Sequence, residues 1–192
     1  MAMDDSARDG LSVLAGNDRI HGFLIQLLSR SEQLLLAGTL VVIMAIFFYQ
    51  PVVVKGVSME PKLGNQERVF VNKFIYNFKQ ICRGDIVVFW YPRDPRKPFI
   101  KRVVGIPGDQ VVIERGQVYV NGELLEELNV PGGYRGHCSF PAVRVFPSTY
   151  YVLGDHRSAS NDSRSWGLVP RKNIYGRAVF RYWPLEKAGF LD

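Results

Sequence analysis

A chain of 192 residues has room for one domain with a real core plus an appendage, and not for two large domains. Hydrophobic residues at 47% and aromatic residues at 12% exclude general disorder. The net charge of +6 fits a solvated basic face first, and an acidic membrane surface or nucleic acid only after it, so charge alone names no partner.

Residues 1–10 are polar, and "LIQLLSRSEQLLL" (24–36) carries apolar residues at helical spacing, which predicts a helix lying on a membrane surface or extending the segment that follows. From Gln33 to Val54 no residue is charged, a run long enough to span a bilayer as a helix. A cleaved secretory signal would end in small residues, whereas this run ends in the bulky "FFYQPVVV", so an uncleaved anchor is predicted over 33–54. Residues 1–32 then form an N-terminal tail and 55–192 the main domain. The tail carries Arg8, Arg19 and Arg30 against Asp4, Asp5, Asp9, Asp18 and Glu32. Charge bias orients short loops but not long domains, so it leaves the side of the membrane open.

After the anchor the period changes from helix to strand. "ERVFVNKFI", "GDIVVFWY", "FIKRVVGI", "QVVIERG", "QVYVNGELL", "YYVLGD" and "RAVFRYWP" are short β-branched or aromatic runs separated by Gly, Pro, Asn and Asp, which predicts a mostly β, antiparallel domain. Asn121-Gly122 is a strong hairpin signal, because both central turn residues need positive φ. "CRGD" and "IPGD" read as tight turns; the Arg-Gly-Asp within the first is a turn before a strand rather than an adhesion motif. Between 126 and 147 the alternation dissolves, predicting an irregular, exposed insertion. Cys82 and Cys138 leave both a disulfide and two free thiols open, and with no Cys/His ligand spacing no metal site is expected.

Three stretches carry groups capable of chemistry. "GVSMEP" (56–61), which begins two residues beyond the uncharged run, carries one serine, Ser58. A serine hydroxyl needs a base. Of the three histidines, His21 precedes the anchor and His137 falls in the insertion, which leaves His156 for a triad. Lysine is the other route, since burial can lower its pKa by several units, and "PFIKRVVGIPGD" provides an apolar strand around Lys101. Alternation sends Lys101 and Arg102 to opposite faces, so one can be buried while the other reaches solvent; a basic strand with both heads in water is the other reading. "GDHRSASNDSRSWG" (154–167) is a polar loop rich in side chain to backbone bonding.

Together these stretches resemble the bacterial type I signal peptidases, membrane-anchored Ser/Lys endopeptidases that remove signal sequences from exported proteins. "SMEPKL" resembles the family's nucleophile box, "RGDIVVF" its following strand, "KRVVGIPGD" its base box and "GDHRSASNDSRSWG" its last box, in the same order, over about residues 52–183. The resemblance implies a signal-peptidase-like antiparallel β fold, Ser58 as nucleophile and Lys101 as general base. It implies that Ser160 hydrogen-bonds the amine and that Asp155, Asp162 and Arg164 brace the site, with Asp162 and Arg164 paired. The Ser58 backbone N–H would supply one oxyanion donor; a serine often stands two residues before the nucleophile as the other, and here that position is Gly56. His156 stands where relatives often carry Asn, and Lys62 where they often carry Thr.

By the same resemblance the substrates are exported preproteins with Ala-x-Ala cleavage sites, bound as an added strand against Met59, Phe99 and Ile100. The domain would lie outside the bacterial inner membrane on a single span, with "FW" at 89 and 90 touching lipid or packed in the core. No cofactor, metal, nucleic acid or oligomer is implied. A related Ser/Lys protease with one dedicated partner, or an inactive membrane-tethered module that binds peptides, are the alternatives.

Overall fold

The computed structural model describes residues 30, 32–44, 47–127 and 129–191. The chain divides into one unit ending at Phe47 and a second beginning at Phe48. In the first, residues 32–44 are helical and carry exposed leucines, Leu34, Leu35, Leu36 and Leu40. No helix among the described residues is long and apolar enough to cross a membrane. His21 and most of the expected interfacial helix lie outside the described residues.

The described residues of the second unit form twelve strands. In chain order they are β1 (Tyr49–Val53), β2 (Arg68–Asn72), β3 (Ile86–Tyr91), β4 (Asp94–Gly105), β5 (Gln110–Glu114) and β6 (Gln117–Val120), then β7 (Glu123–Leu124), β8 (Phe140–Arg144), β9 (Thr149–Leu153), β10 (Val169–Pro170), β11 (Ile174–Trp183) and β12 (Gly189–Phe190). The larger sheet has the order β1-β2-β11-β3-β4-β9-β10, with β12 beside β11; the smaller has the order β7-β6-β5-β8. Every pairing is antiparallel.

β1 corrects the boundary of the predicted 33–54 helix. Residues 49–53 pair with β2, Val52 packs on the core, and β1 sits at the rim of its sheet. Proline lacks the N–H a central strand must donate, so Pro51 is tolerated on an edge, where one side of the ladder stays open.

Alternation in the larger sheet sorts side chains into separate cores. On β3, Ile86 and Val88 join Val54, Met59, Leu63, Val69 and Val71, whereas Val87 and Phe89 join Val103, Val152, Trp166 and Ile174. A strand buried on both faces is apolar throughout, which explains "IVVF". Phe89 is therefore core, while Trp90 is 40% exposed and stacks on Tyr175. On β9, Val152 faces that second cluster while Tyr151 and Leu153 join Val111, Ile113, Val118 and Val120 of the smaller sheet.

The predicted turns form. Asn121 and Gly122 have φ of 55° and 87°, the geometry of a tight hairpin, and Val120 pairs with Glu123 across it. Gly108 at φ 96° closes "IPGD", with Asp109 N–H donating to Ile106 O at 3.0 Å. In "CRGD", Arg83 pairs with Asp109 and Asp85 accepts from Tyr76 and the Cys82 N–H, so the tripeptide is spent on folding. The 126–147 segment is less irregular than its sequence suggests: Gly132–Arg135 form a helical turn, Phe140–Arg144 pair with β5, and Val130 and Val145 are buried. Cys82 and Cys138 are both free and exposed.

Candidate active site

The β3–β4 hairpin sets Lys101 directly opposite Val87 and Phe99 opposite Phe89. Lys101 is 4% exposed, and its ring neighbour Phe99 lies 5.6 Å from Nζ. Nζ reaches Ser58 Oγ at 2.6 Å, a donor contact for the ammonium and an acceptor contact once the amine is neutral. Burial pushes the Lys101 ammonium down to about 8; Asp162 and Asp155 pull the other way, and Arg164 adds to the fall. A hydroxyl held against an amine that sheds its proton near neutral pH is the pairing that Ser/Lys nucleophilic chemistry requires.

Ser58 sits in a turn closed by Glu60 N–H to Val57 O at 3.1 Å, and the His156 N–H donates to the Ser58 carbonyl at 3.1 Å. Among the described residues the Ser58 N–H donates to no protein acceptor, whereas the Gly56 N–H is committed to Asn65 Oδ1 at 2.9 Å. Gly56 therefore has its N–H engaged within the protein in this arrangement. Its φ of +89° also strains any side chain placed there.

The polar loop 154–167 packs against this turn. A methyl group on Gly154 would overlap both the Ser160 side chain and the Ser58 carbonyl oxygen, so only glycine permits the approach. Asp162 accepts from the Gly154 N–H at 3.0 Å and pairs with Arg164 at 2.7 Å. Asp155 is fully buried and takes both ends of the Arg102 fork, at 2.8 and 2.7 Å. Arg102 is therefore not at solvent: the second basic residue of the pair is buried too, and a carboxylate instead of water meets its charge.

Ser160 Oγ is buried without a hydrogen-bond partner among the described residues, so its expected bond to the lysine amine is not made in this arrangement. His156 directs its ring at Tyr134, 4.7 Å between centroids, with Nδ1 4.0 Å from Glu60. The one side chain hydrogen-bonded to Ser58 Oγ among the described residues is Lys101. His137 is exposed and lines a separate cavity.

A cleft of about 640 Å³ opens beside the pair. One wall is the open edge of β1 continuing through Val54 to Ser58; the other is Lys97–Lys101, with Val88, Ala159 and Asn161 completing it. Phe99 and Ile100 line it as expected from the sequence. Met59 does not: it is 0% exposed and points into the core beside Val54 and Leu63, since the tight turn after Ser58 carries the next side chain inward. Val52 and Val53 were missed because their alternation was hidden at the end of an apolar run. Arg157 and Glu127 were missed as well; their side chains are buried and paired with each other.

The model of the family described as signal peptidase, peptidase S26, matches residues 27–183. The chain belongs to that family. A Synechocystis sp. relative named "Probable signal peptidase I-2" is 42% identical over 142 residues, 70% of this chain and 63% of its own length. The match therefore spans a little under two thirds of that relative. Signal peptidase I of Bacillus amyloliquefaciens is 36% identical over 169 residues, 82% of this chain and 88% of its own. The crystal structure of a signal peptidase I from Enterococcus faecalis is 30% identical, covering 52% of this chain and 97% of that one with a TM-score of 0.46.

Proposed function

We propose that the protein removes signal peptides from exported preproteins, as its family membership supports, by a Ser58/Lys101 mechanism at the outer face of the bacterial cytoplasmic membrane. The observation that carries this reading is the 2.6 Å contact between Ser58 Oγ and a lysine amine stripped of water. Neutral Lys101 takes the Ser58 proton as Oγ bonds to the scissile carbonyl carbon. The carbonyl oxygen becomes an oxyanion facing the free Ser58 N–H, with water as the second donor because Gly56 is committed elsewhere. The Lys101 ammonium then gives its proton to the leaving amine as the peptide bond breaks, which leaves an ester on Ser58. Lys101, neutral again, takes a proton from water, whose oxygen attacks the ester; the signal peptide leaves as a carboxylic acid and Ser58 Oγ recovers its proton.

The substrate enters as a strand on the free edge of β1, its small side chains alternating toward Phe99 and Ile100 and the other apolar walls of the cleft. Asp155, Asp162 and Arg164 hold the loop against the turn that carries Ser58. Ser160, whose buried hydroxyl has no partner among the described residues, turns toward the amine when substrate is bound. The membrane anchor is the apolar segment that ends where β1 begins, which keeps the nucleophile near bilayer-embedded signal sequences and raises their effective concentration. Lipid contact and Ala-x-Ala selectivity belong to the same reading.

The test is cleavage of a signal-bearing precursor, read as precursor and mature bands. Ser58→Ala and Lys101→Ala each abolish it, because nucleophile and base act as a unit. Lys101→Arg is also inactive, since guanidinium stays protonated. His156→Ala retains cleavage, its backbone N–H being unchanged. A folded Lys101→Ala variant that cuts normally while His156→Ala does not would overturn the mechanism.

A further inference from the structure

Behind the catalytic pair lies a buried ion pair that the mechanism does not use. Arg157 and Glu127 have side chains only 2% and 7% exposed. The Arg157 fork grips both Glu127 carboxylate oxygens, with Nη1 to Oε2 at 2.9 Å, while its Nε donates to the Gly154 carbonyl at 2.9 Å. Its own carbonyl accepts from Arg164 Nη2 at 2.6 Å; Arg164 pairs with Asp162, and Asp162 accepts from the Gly154 N–H. The contacts close a ring. Gly154 is held at both its carbonyl and its N–H, and it is the residue pressed against the Ser58 carbonyl.

The ring is anchored outside the loop. The Glu127 backbone carbonyl accepts from the Val130 N–H at 3.1 Å and from Arg135 Nη2 at 3.3 Å, so the 126–147 segment holds the carboxylate in place. Tyr134 of the same segment packs on His156, whose N–H bonds Ser58 O. A buried ion pair is weak evidence for stability, because the cost of removing two charges from water roughly matches their attraction. What this pair does supply is direction: a planar fork that fixes the carbonyl of Gly154 relative to a segment about 30 residues earlier in the chain.

We infer that Glu127 and Arg157 are positioning residues for the Ser58/Lys101 pair, with the 126–147 segment acting through them to press Gly154 against the turn of the nucleophile. The inference rests on the proposed Ser/Lys reading for its effect on catalysis, but its mechanical part does not.

The experiment uses the full-length protein in detergent with two variants. Arg157→Lys keeps the charge but cannot hold both carboxylate oxygens and the Gly154 carbonyl at once. Glu127→Leu with Arg157→Met removes both charges at similar volume, a change that often preserves or raises stability. In each, kcat falls on the order of tenfold or more with KM little changed, as loss of near-attack geometry requires. The apolar double variant keeps its melting midpoint, which separates positioning from plain destabilisation, and its pH–rate inflection moves upward as water regains the amine. Exchange of the His156 amide, read without substrate, accelerates in both variants. A double variant with wild-type kcat and inflection overturns the inference, as does unchanged His156 exchange; if the double variant does not fold, Arg157→Lys decides alone. If the wild type cleaves no precursor but His156 exchange still responds, the peptidase reading fails and the positioning role stands.

Discussion

The pH dependence of cleavage can be worked from the burial of Lys101. A lysine in water has its ordinary value near 10.5, so at pH 7 roughly one molecule in three thousand would hold a neutral amine. Burial lowers the folded value to about 8, and roughly a tenth are then neutral at the same pH. Under the proposed mechanism the gain in neutral base is on the order of 300-fold, within the range a positioned general base contributes. For a fluorogenic Ala-x-Ala peptide, kcat/KM should rise about tenfold from pH 6 to 7, reach half its plateau near pH 8 and flatten by about pH 10. The same shift has a stability cost. A lysine whose folded pKa lies below its unfolded one destabilises the fold by an amount that is full below about pH 8, on the order of 3 kcal/mol, and fades as pH rises toward 10.5. Lys101→Met should therefore raise the melting midpoint at pH 7, with the difference shrinking by about pH 10.5, while abolishing cleavage. Initial rates and melting curves across pH 5.5–10.5 measure both. An inflection near 6.5, where an ordinary histidine titrates, or a Lys101→Met variant less stable at pH 7, would refute the reasoning.

Gly154→Ala forces a methyl group into the Ser160 side chain and the Ser58 carbonyl, and should cost about 1–3 kcal/mol along with most of the activity, read by urea unfolding and precursor cleavage. Met59→Ala should destabilise by about 2–5 kcal/mol without widening substrate choice, because that side chain is wholly in the core, whereas Ile100→Ala should leave stability nearer wild type and admit larger residues at the cleavage site in a peptide panel. Removal of residues 1–47 should leave a folded domain with cooperative melting; removal of 1–54 takes away β1 and the buried Val54, and should lower the melting midpoint and the affinity for peptide together.

What could be read from the sequence was what local chemistry repeats. Period-2 runs gave the strands, Asn121-Gly122 and Pro107-Gly108 gave turns whose positive φ few other residues accept, and four boxes in fixed order brought out Ser58 and Lys101 although 43 positions separate them. The features that stayed hidden depend on partners far along the chain. Tyr49–Val53 has the same apolar composition as the run before it, and apart from Pro51, which limits a helix, its strand character comes from the pairing with Arg68–Asn72. Phe140–Arg144 is too short to show a period, and it becomes a strand because Gln110–Glu114 offers an edge. Alternation could not show that Arg102 is buried as well as Lys101, because its partner, Asp155, lies 53 positions on. Glu127 and Arg157 escaped notice for the same reason. The two buried guanidinium pairs and the Asp162–Arg164 pair share one outcome: each charge brought in from water is matched within the loop or across it, and among the buried cations of the described residues Lys101 alone lacks a carboxylate at hydrogen-bond distance. A paired lysine would be held protonated and useless as a base. Asp155 and Asp162, the carboxylates beside this site, are engaged by Arg102 and Arg164, and that division leaves the amine of Lys101, rather than a carboxylate-bound one, facing the serine.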